Sequence, residues 1–275
     1  MTLAVEWAII GGTGVYDPEL LEQPRAQSVE TPYGTVEAFV GGHAGVEVAF
    51  LPRHGRGHSL PPHRIPYRAN LWALRALGVR ACLATAACGS LRADLAPGGL
   101  ALCDQFLDFT RSRASTFFDG QDGQVHHADM TDPYCPRLRA ALAVEARGLG
   151  IGLVEQATYV CTEGPRFETP AEIRAYARLG GDLVGMTGVP EVVLAREAGL
   201  CYASVAVVTN FAAGLAGRPL THAEVVEAMG QATAGVRRLL LATVAAGAAG
   251  PCDRCPPAPA GIRVPTTGAG EGREA

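Results

Sequence analysis

Short apolar runs of strand length alternate along most of the chain with longer stretches of helical periodicity. Residues 7–10 and 46–51 are strand-like, whereas residues 67–77 carry Leu71, Leu74 and Leu77 at helical spacing. The same pattern predicts strands at 81–86, 100–109, 155–161, 182–186 and 201–209, and helices at 136–149, 170–179, 190–198 and, last and longest, 221–246. Regular alternation of this kind indicates an α/β fold. Three helix starts are also legible. Thr169-Pro170-Ala171-Glu172 offers a capping hydroxyl, proline at the first helical position and a glutamate three residues after the cap. Thr221-His222-Ala223-Glu224 repeats the capping box, and Pro190-Glu191 puts an acid in the first turn of a third helix. Residues just ahead of such helices lie at strand ends, where α/β folds hold ligands.

Composition narrows the chemistry. The 275 residues are 48% hydrophobic and 18% charged, enough for a substantial core, and one globular domain over residues 1–247 is expected. Residues 248–275 are rich in Pro, Gly and Ala and read as a disordered tail. The net charge is −4 without a basic face, which argues against nucleic acid as a partner. All 23 basic residues are Arg, so a Walker lysine, a Schiff base and a lysine general base are excluded, and anion binding falls to Arg, His and backbone N–H groups. No run of 18 apolar residues and no secretory signal is present, so neither a membrane span nor export is expected. Six of the eight cysteines, Cys82, Cys88, Cys103, Cys135, Cys161 and Cys201, sit in or beside apolar runs and read as buried free thiols of a reducing cytoplasm. Cys252 and Cys255 form a single CxxC. The tail supplies no second pair or histidine for a zinc ribbon, so no metal is expected there.

Candidate chemistry gathers at strand ends. Gly11-Gly12-Thr13-Gly14 follows the first apolar strand and can turn successive N–H groups toward an anion, or serve only as a tight turn. It is not a GxGxxG loop. Arg53-His54-Gly55-Arg56-Gly57-His58 packs four potential anion donors into six residues. Thr85-Ala86-Ala87-Cys88-Gly89-Ser90 joins a buried strand to small residues that would admit a ligand to the backbone or simply pack. Gly164-Pro165-Arg166-Phe167-Glu168-Thr169 sets an aromatic and a carboxylate ahead of a capped helix, although Phe167 alone reads as core and Glu168 alone as surface. Met186-Thr187-Gly188 and Thr209-Asn210 end two further strands with a hydroxyl and an amide.

In order and spacing, the Gly-Gly-Thr-Gly, Arg-His-Gly-Arg, Thr-Ala-Ala-Cys-Gly-Ser, Gly-Pro-Arg-Phe-Glu-Thr and Gly-Met-Thr-Gly-Val-Pro-Glu segments resemble the trimeric purine nucleoside phosphorylase and methylthioadenosine phosphorylase family, over roughly residues 7–246. The resemblance implies a single-domain nucleoside phosphorylase fold with a mixed central β-sheet flanked by helices. It also implies reversible phosphorolysis of a nucleoside, with inorganic phosphate as co-substrate and no cofactor or metal, in a cytoplasmic homotrimer, a hexamer being the alternative. Thr13, Arg53, His54, the Ala86 and Ala87 backbone and Thr187 would then be phosphate ligands. Met186 would lie beneath the sugar, Phe167 would face the purine, and Glu168, Asn210, Phe211 and Ala212 would surround the base. Asn210, His54 and Glu168 would carry the catalysis. Residues 117–127 would reach a neighbouring subunit's 5′ pocket.

The resemblance also bears on the base. Methylthioadenosine phosphorylases carry Ser at the position of Glu168 and Asp at that of Asn210, whereas the 6-oxopurine enzymes carry Glu and Asn, as here. Glutamate accepts from the N1–H of a 6-oxopurine; against adenine N1, two acceptors would be opposed. Inosine and guanosine are therefore expected as substrates, with 5′-methylthioinosine a further candidate and methylthioadenosine the alternative. His222, at the position of a histidine that reaches the 5′-hydroxyl, would contact the sugar, or would be an ordinary first-turn residue.

Overall fold

Strand β1 (Val5–Gly11) buries Trp7 and Ile9 on one face and Ala8 and Ile10 on the other. A strand apolar on both faces must be covered on both, which the helices accomplish. In a computed structural model, residues 5–15, 18–120, 123, 125–215, 222–247, 249–250, 252–255 and 257–259 are described, without the side chains of residues 222–226 and 231. Helices α1 (Tyr67–Ala76) and α4 (Gly188–Glu197) pack on the face of Ala8 and Ile10. Helices α2 (Pro136–Gly148) and α5 (His222–Ala245) pack on the face of Trp7 and Ile9. A smaller cluster holds α3 (Pro170–Arg178) through Ile173 and Tyr176.

The remaining strands are β2 (Glu22–Thr31), β3 (Gly34–His43), β4 (Val46–Pro52), β5 (Ala81–Ser90), β6 (Leu100–Phe109), β7 (Leu153–Thr162), β8 (Leu183–Gly185) and β9 (Cys201–Phe211). They form one mixed sheet in the order β2-β3-β4-β1-β5-β8-β7-β6-β9, and β9 returns to pair with β5, so the second half closes on itself. Parallel pairing of β4, β1, β5 and β9 brings their C-terminal ends to one edge. That edge carries the glycine-rich loop, Arg53-His54, the Ala-Ala-Cys-Gly-Ser segment and Asn210, the arrangement expected of an α/β ligand site.

The α/β architecture matches the sequence expectation, and each expected strand and helix has a counterpart. The hairpin β2–β3 was not among them. Most of β2 is exposed on both faces, so no alternation marks it; β3 buries Val36, Ala38 and Val40 on one side, while Thr35 and Glu37 on the other are exposed. The capping box at Thr169 forms in both directions, Glu172 N–H donating to Thr169 Oγ1 at 3.2 Å and Thr169 N–H to the Glu172 carboxylate at 2.7 Å. The box at Thr221 lies outside the described residues. Helix α4 is counted from Gly188, but Val189 is extended (φ −119°, ψ 133°), so regular helical backbone begins at Pro190 with Glu191 in the first turn as expected; that acid is fully buried. The start of the segment expected to be a disordered tail packs on the domain instead: Ala249 is buried, Cys252 and Cys255 pack against the α2–α5 core, and Arg254 pairs with Asp132. Residues 260–275 lie outside the described residues. Among the described residues, no helix is long and apolar enough to cross a membrane.

Candidate active site

The loop after β1 is shaped by what stands behind it. Gly12 donates its N–H to Thr85 Oγ1 at 3.0 Å, and a Cβ at Gly12 would come within 2.6 Å of Arg53 Nη1 and 2.7 Å of the Thr85 carbonyl. Only glycine lets this backbone approach so closely. Arg53 itself is 1% exposed and grips Glu191 through two parallel bonds of 2.6 Å, while Nη1 donates to the Thr85 carbonyl at 2.7 Å. Burial alone would lower the Arg53 pKa; the attraction and hydrogen bonds of Glu191 more than reverse it and hold the guanidinium charged. Tyr202 donates a further bond to the same carboxylate, at 2.7 Å.

His54 follows directly. Its Nδ1 lies 2.8 Å from the Leu60 carbonyl, which can only accept, so Nδ1 carries the proton and Nε2 is left as an acceptor. Burial, and secondarily the charge of Arg53 and the neighbouring His58 ring stacked 4.2 Å away, bring the His54 pKa down to about 4, while the Leu60 bond acts in the opposite sense. His54 is therefore neutral at pH 7.

On the far side, Thr187 and Gly188 donate their N–H groups to the buried Tyr159 hydroxyl at 3.2 and 3.4 Å, which fixes the turn ahead of α4. Glu168 is 9% exposed; its Oε1 accepts from Thr162 Oγ1 at 2.6 Å. Burial pushes its pKa up, and the Thr162 bond acts against that. Asn210 accepts at Oδ1 from the Thr209 hydroxyl, 2.8 Å, and donates through Nδ2 to the Phe211 carbonyl, 2.9 Å. A Cβ at Gly89 would stand 3.2 Å from that Nδ2, so the small residue there makes room for the amide.

These groups line one cavity of about 420 Å³. Thr13, Arg53, His54, Ala87 and Thr187 border it together with Phe167, Glu168, Met186, Asn210 and Ala212. Apolar wall is added by Leu60, Pro61, Pro62 and Val184. The volume and the mixture of apolar wall with a few convergent polar groups suit a small organic ligand.

A sequence model described as the phosphorylase superfamily matches residues 6–245. The chain belongs to the phosphorylase superfamily. It is 57% identical over 237 residues to a probable 6-oxopurine nucleoside phosphorylase of Dictyoglomus turgidum, covering 86% of this chain and 90% of that one. It is 54% identical over 242 residues to the 6-oxopurine nucleoside phosphorylase of Pyrococcus furiosus, with 86% and 91% covered. Among solved structures, it resembles methylthioadenosine phosphorylase from Schistosoma mansoni in complex with adenine, with a TM-score of 0.85, 38% identity, and 90% of this chain and 93% of that one covered.

In this phosphorylase the fold draws ten of the expected site residues, taken from six separate strand ends and loops, to one cavity. Ala86 and Phe211 are not among the residues lining it: Ala86 is buried within β5, and Phe211 offers its carbonyl to Asn210. His222 opens α5, but its side chain lies outside the described residues. Phe167, which alone reads as core, is 40% exposed beside the cavity, and Glu168, which alone reads as surface, is buried. The sequence missed Glu191, Tyr159 and Thr162 as supports of the phosphorylase site. Each looks like core or first-turn filling in one dimension; a buried acid in a helix with no polar face was the one available signal, since it needs a buried cation.

Proposed function

We propose that this phosphorylase catalyses the reversible phosphorolysis of 6-oxopurine nucleosides, yielding a free purine and a pentose 1-phosphate. The observation that carries the reading is the pairing of a buried carboxylate, Glu168, with the amide of Asn210 on one cavity. After its bond to Thr162, Glu168 keeps a free oxygen able to accept from purine N1–H and from the 2-amino group of guanine. After its bonds to Thr209 and Phe211, Asn210 keeps one N–H and one lone pair, which match a purine O6 and a protonated N7. Adenine would set its N1 lone pair against the carboxylate, a mismatch of about 1–3 kcal/mol.

The reaction follows from these groups. A phosphate oxygen forms a bond to C1′ as the C1′–N9 bond breaks; the electron pair passes to the base, which takes a proton from solvent at N7 and donates that N7–H to the Asn210 carbonyl. Phosphate would be held by Thr13, Thr187, the Ala87 backbone and the two Arg53 N–H groups that remain after Glu191 and Thr85. The Nε2 lone pair of His54 suits a protonated phosphate oxygen. Positioning and fixed dipoles supply the rate, and the chemistry calls for no cofactor. Met186 would underlie the sugar, Phe167 would cover the purine, and His222 would meet the 5′ group. The reading extends to a cytoplasmic homotrimer, which sedimentation would check.

Phosphate-dependent release of base from inosine, guanosine, 5′-methylthioinosine, adenosine and methylthioadenosine tests it. The 6-oxopurine nucleosides should react at least about tenfold faster than their 6-amino counterparts. Faster turnover of methylthioadenosine, or release of base independent of phosphate, would overturn the reading.

A further inference from the structure

The opposite end of β9 from Asn210 holds a second constellation. Cys201 opens the strand, Cys135 immediately precedes α2, and Cys252 and Cys255 come from the segment after α5. The four sulfur atoms all lie within 4.8 Å of one another, and Cys135 Sγ is 3.7 Å from Cys252 Sγ. Sulfurs at about 2.3 Å from a tetrahedral zinc ion stand roughly 3.8 Å apart, whereas a disulfide draws two of them to about 2.05 Å. We propose that Cys135, Cys201, Cys252 and Cys255 are the four ligands of a structural zinc ion that staples the C-terminal segment to the domain.

The CxxC has no partner pair in its own segment, which is why the sequence argued against a metal; the missing pair comes from residues 51 and 117 positions upstream of Cys252. The backbone around the ligands is already fixed. Cys135 N–H donates to the Tyr202 carbonyl at 2.7 Å, locking the two body ligands side by side, and Cys255 N–H donates to the Cys252 carbonyl at 3.0 Å, forming the turn that aims both tail sulfurs the same way. Between these two, the Arg254 carbonyl accepts from Arg196 at 2.9 Å. Four thiolates around a divalent cation leave a net charge of −2, and the Arg137 guanidinium, 3.5 Å from Cys201 Sγ, is placed to offset it. Cys82, Cys88, Cys103 and Cys161, buried like Cys135 and Cys201, do not join this group. Binding proceeds by loss of each thiol proton to solvent as its S–Zn bond forms, with no change of oxidation state. Four protein ligands close the coordination shell, so the ion holds structure and takes no part in turnover. Nine residues of extended chain, about 30 Å, separate Cys201 from Asn210.

The test is metal analysis of the full chain purified under a thiol reductant without chelator. One zinc per chain is expected. The double variant Cys252→Ser/Cys255→Ser should fall below a tenth of an equivalent and unfold at lower temperature, with phosphate-dependent base release unchanged at a temperature where both are folded. Independently of any variant, stripped wild-type protein loaded with Co(II) should show the visible ligand-field and thiolate charge-transfer bands of a tetrahedral sulfur site. Any one of three results overturns the proposal: disulfides joining these cysteines in the protein as purified, iron in place of zinc, or wild-type chain that takes up neither zinc nor cobalt.

Discussion

Arg53 and Glu168 are both buried charged groups on the wall of one cavity, yet they are partnered very differently. Arg53 spends three N–H bonds on Glu191 and Thr85, and Glu191 in turn takes Tyr202. Glu168 holds a single side-chain partner, Thr162, and keeps an oxygen open. The contrast separates two tasks. A charge that is nearly saturated inside the protein defines the shape of the site, whereas one left half-satisfied is available to read a ligand. His54 lies between them, with one ring nitrogen committed to Leu60 and the other free.

Breaking the saturated side should have the largest effect. Glu191→Gln leaves the buried Arg53 charge without its counter-ion and should destabilise the fold by about 3–5 kcal/mol, read as a fall of roughly 10 °C in Tm by calorimetry. An unchanged Tm would mean that the pair does not support the fold. His54 gives the intermediate case. Its pKa is about 6.5 when unfolded and about 4 when folded, so the unfolded chain binds a proton that the native chain refuses. Stability should therefore decline as pH falls from about 6.5 to about 4, with a slope of up to about 1.4 kcal/mol per pH unit from this group, and His54→Asn should flatten that interval in denaturant titrations.

On the reading side, selectivity should change more than stability. Glu168→Ser combined with Asn210→Asp should move the ratio of kcat/KM for inosine over adenosine toward 6-aminopurines by about 1–3 kcal/mol, or roughly 5- to 150-fold, with Tm nearly constant. The smallest effect sharpens the contrast further. Because burial raises the Glu168 pKa and the Thr162 bond counters it, Thr162→Val should move the acidic limb of the kcat/KM profile for inosine to higher pH. Discrimination against adenosine should narrow across that limb, since a protonated carboxyl can donate to adenine N1.

Much of this site was legible in one dimension because its pieces are short and sit where strands end. Gly11-Gly12-Thr13-Gly14, Arg53-His54 and Glu168-Thr169 could be picked out from glycine content, charge and capping chemistry, and Thr13, Arg53, His54 and Glu168 all line the same cavity. What escaped was support from a distance. Glu191 lies 138 residues from Arg53, and Tyr159 lies 28 residues from the Thr187 N–H that it holds. The β2–β3 hairpin escaped for a different reason, since exposure on both faces of β2 erases the alternation by which strands announce themselves.

The sequence by itself determined the alternation of strands and helices, the capping of α3, and the set of side chains with the right chemistry for an anion and a purine edge. It did so because periodicity, caps and turns depend on neighbours a few residues away. Only the tertiary structure decided that Arg53 is paired with Glu191 and that four cysteines from three parts of the chain meet. Those outcomes depend on contacts between residues 50 to 140 positions apart, where burial and partner geometry set the energy and local pattern carries no record of either.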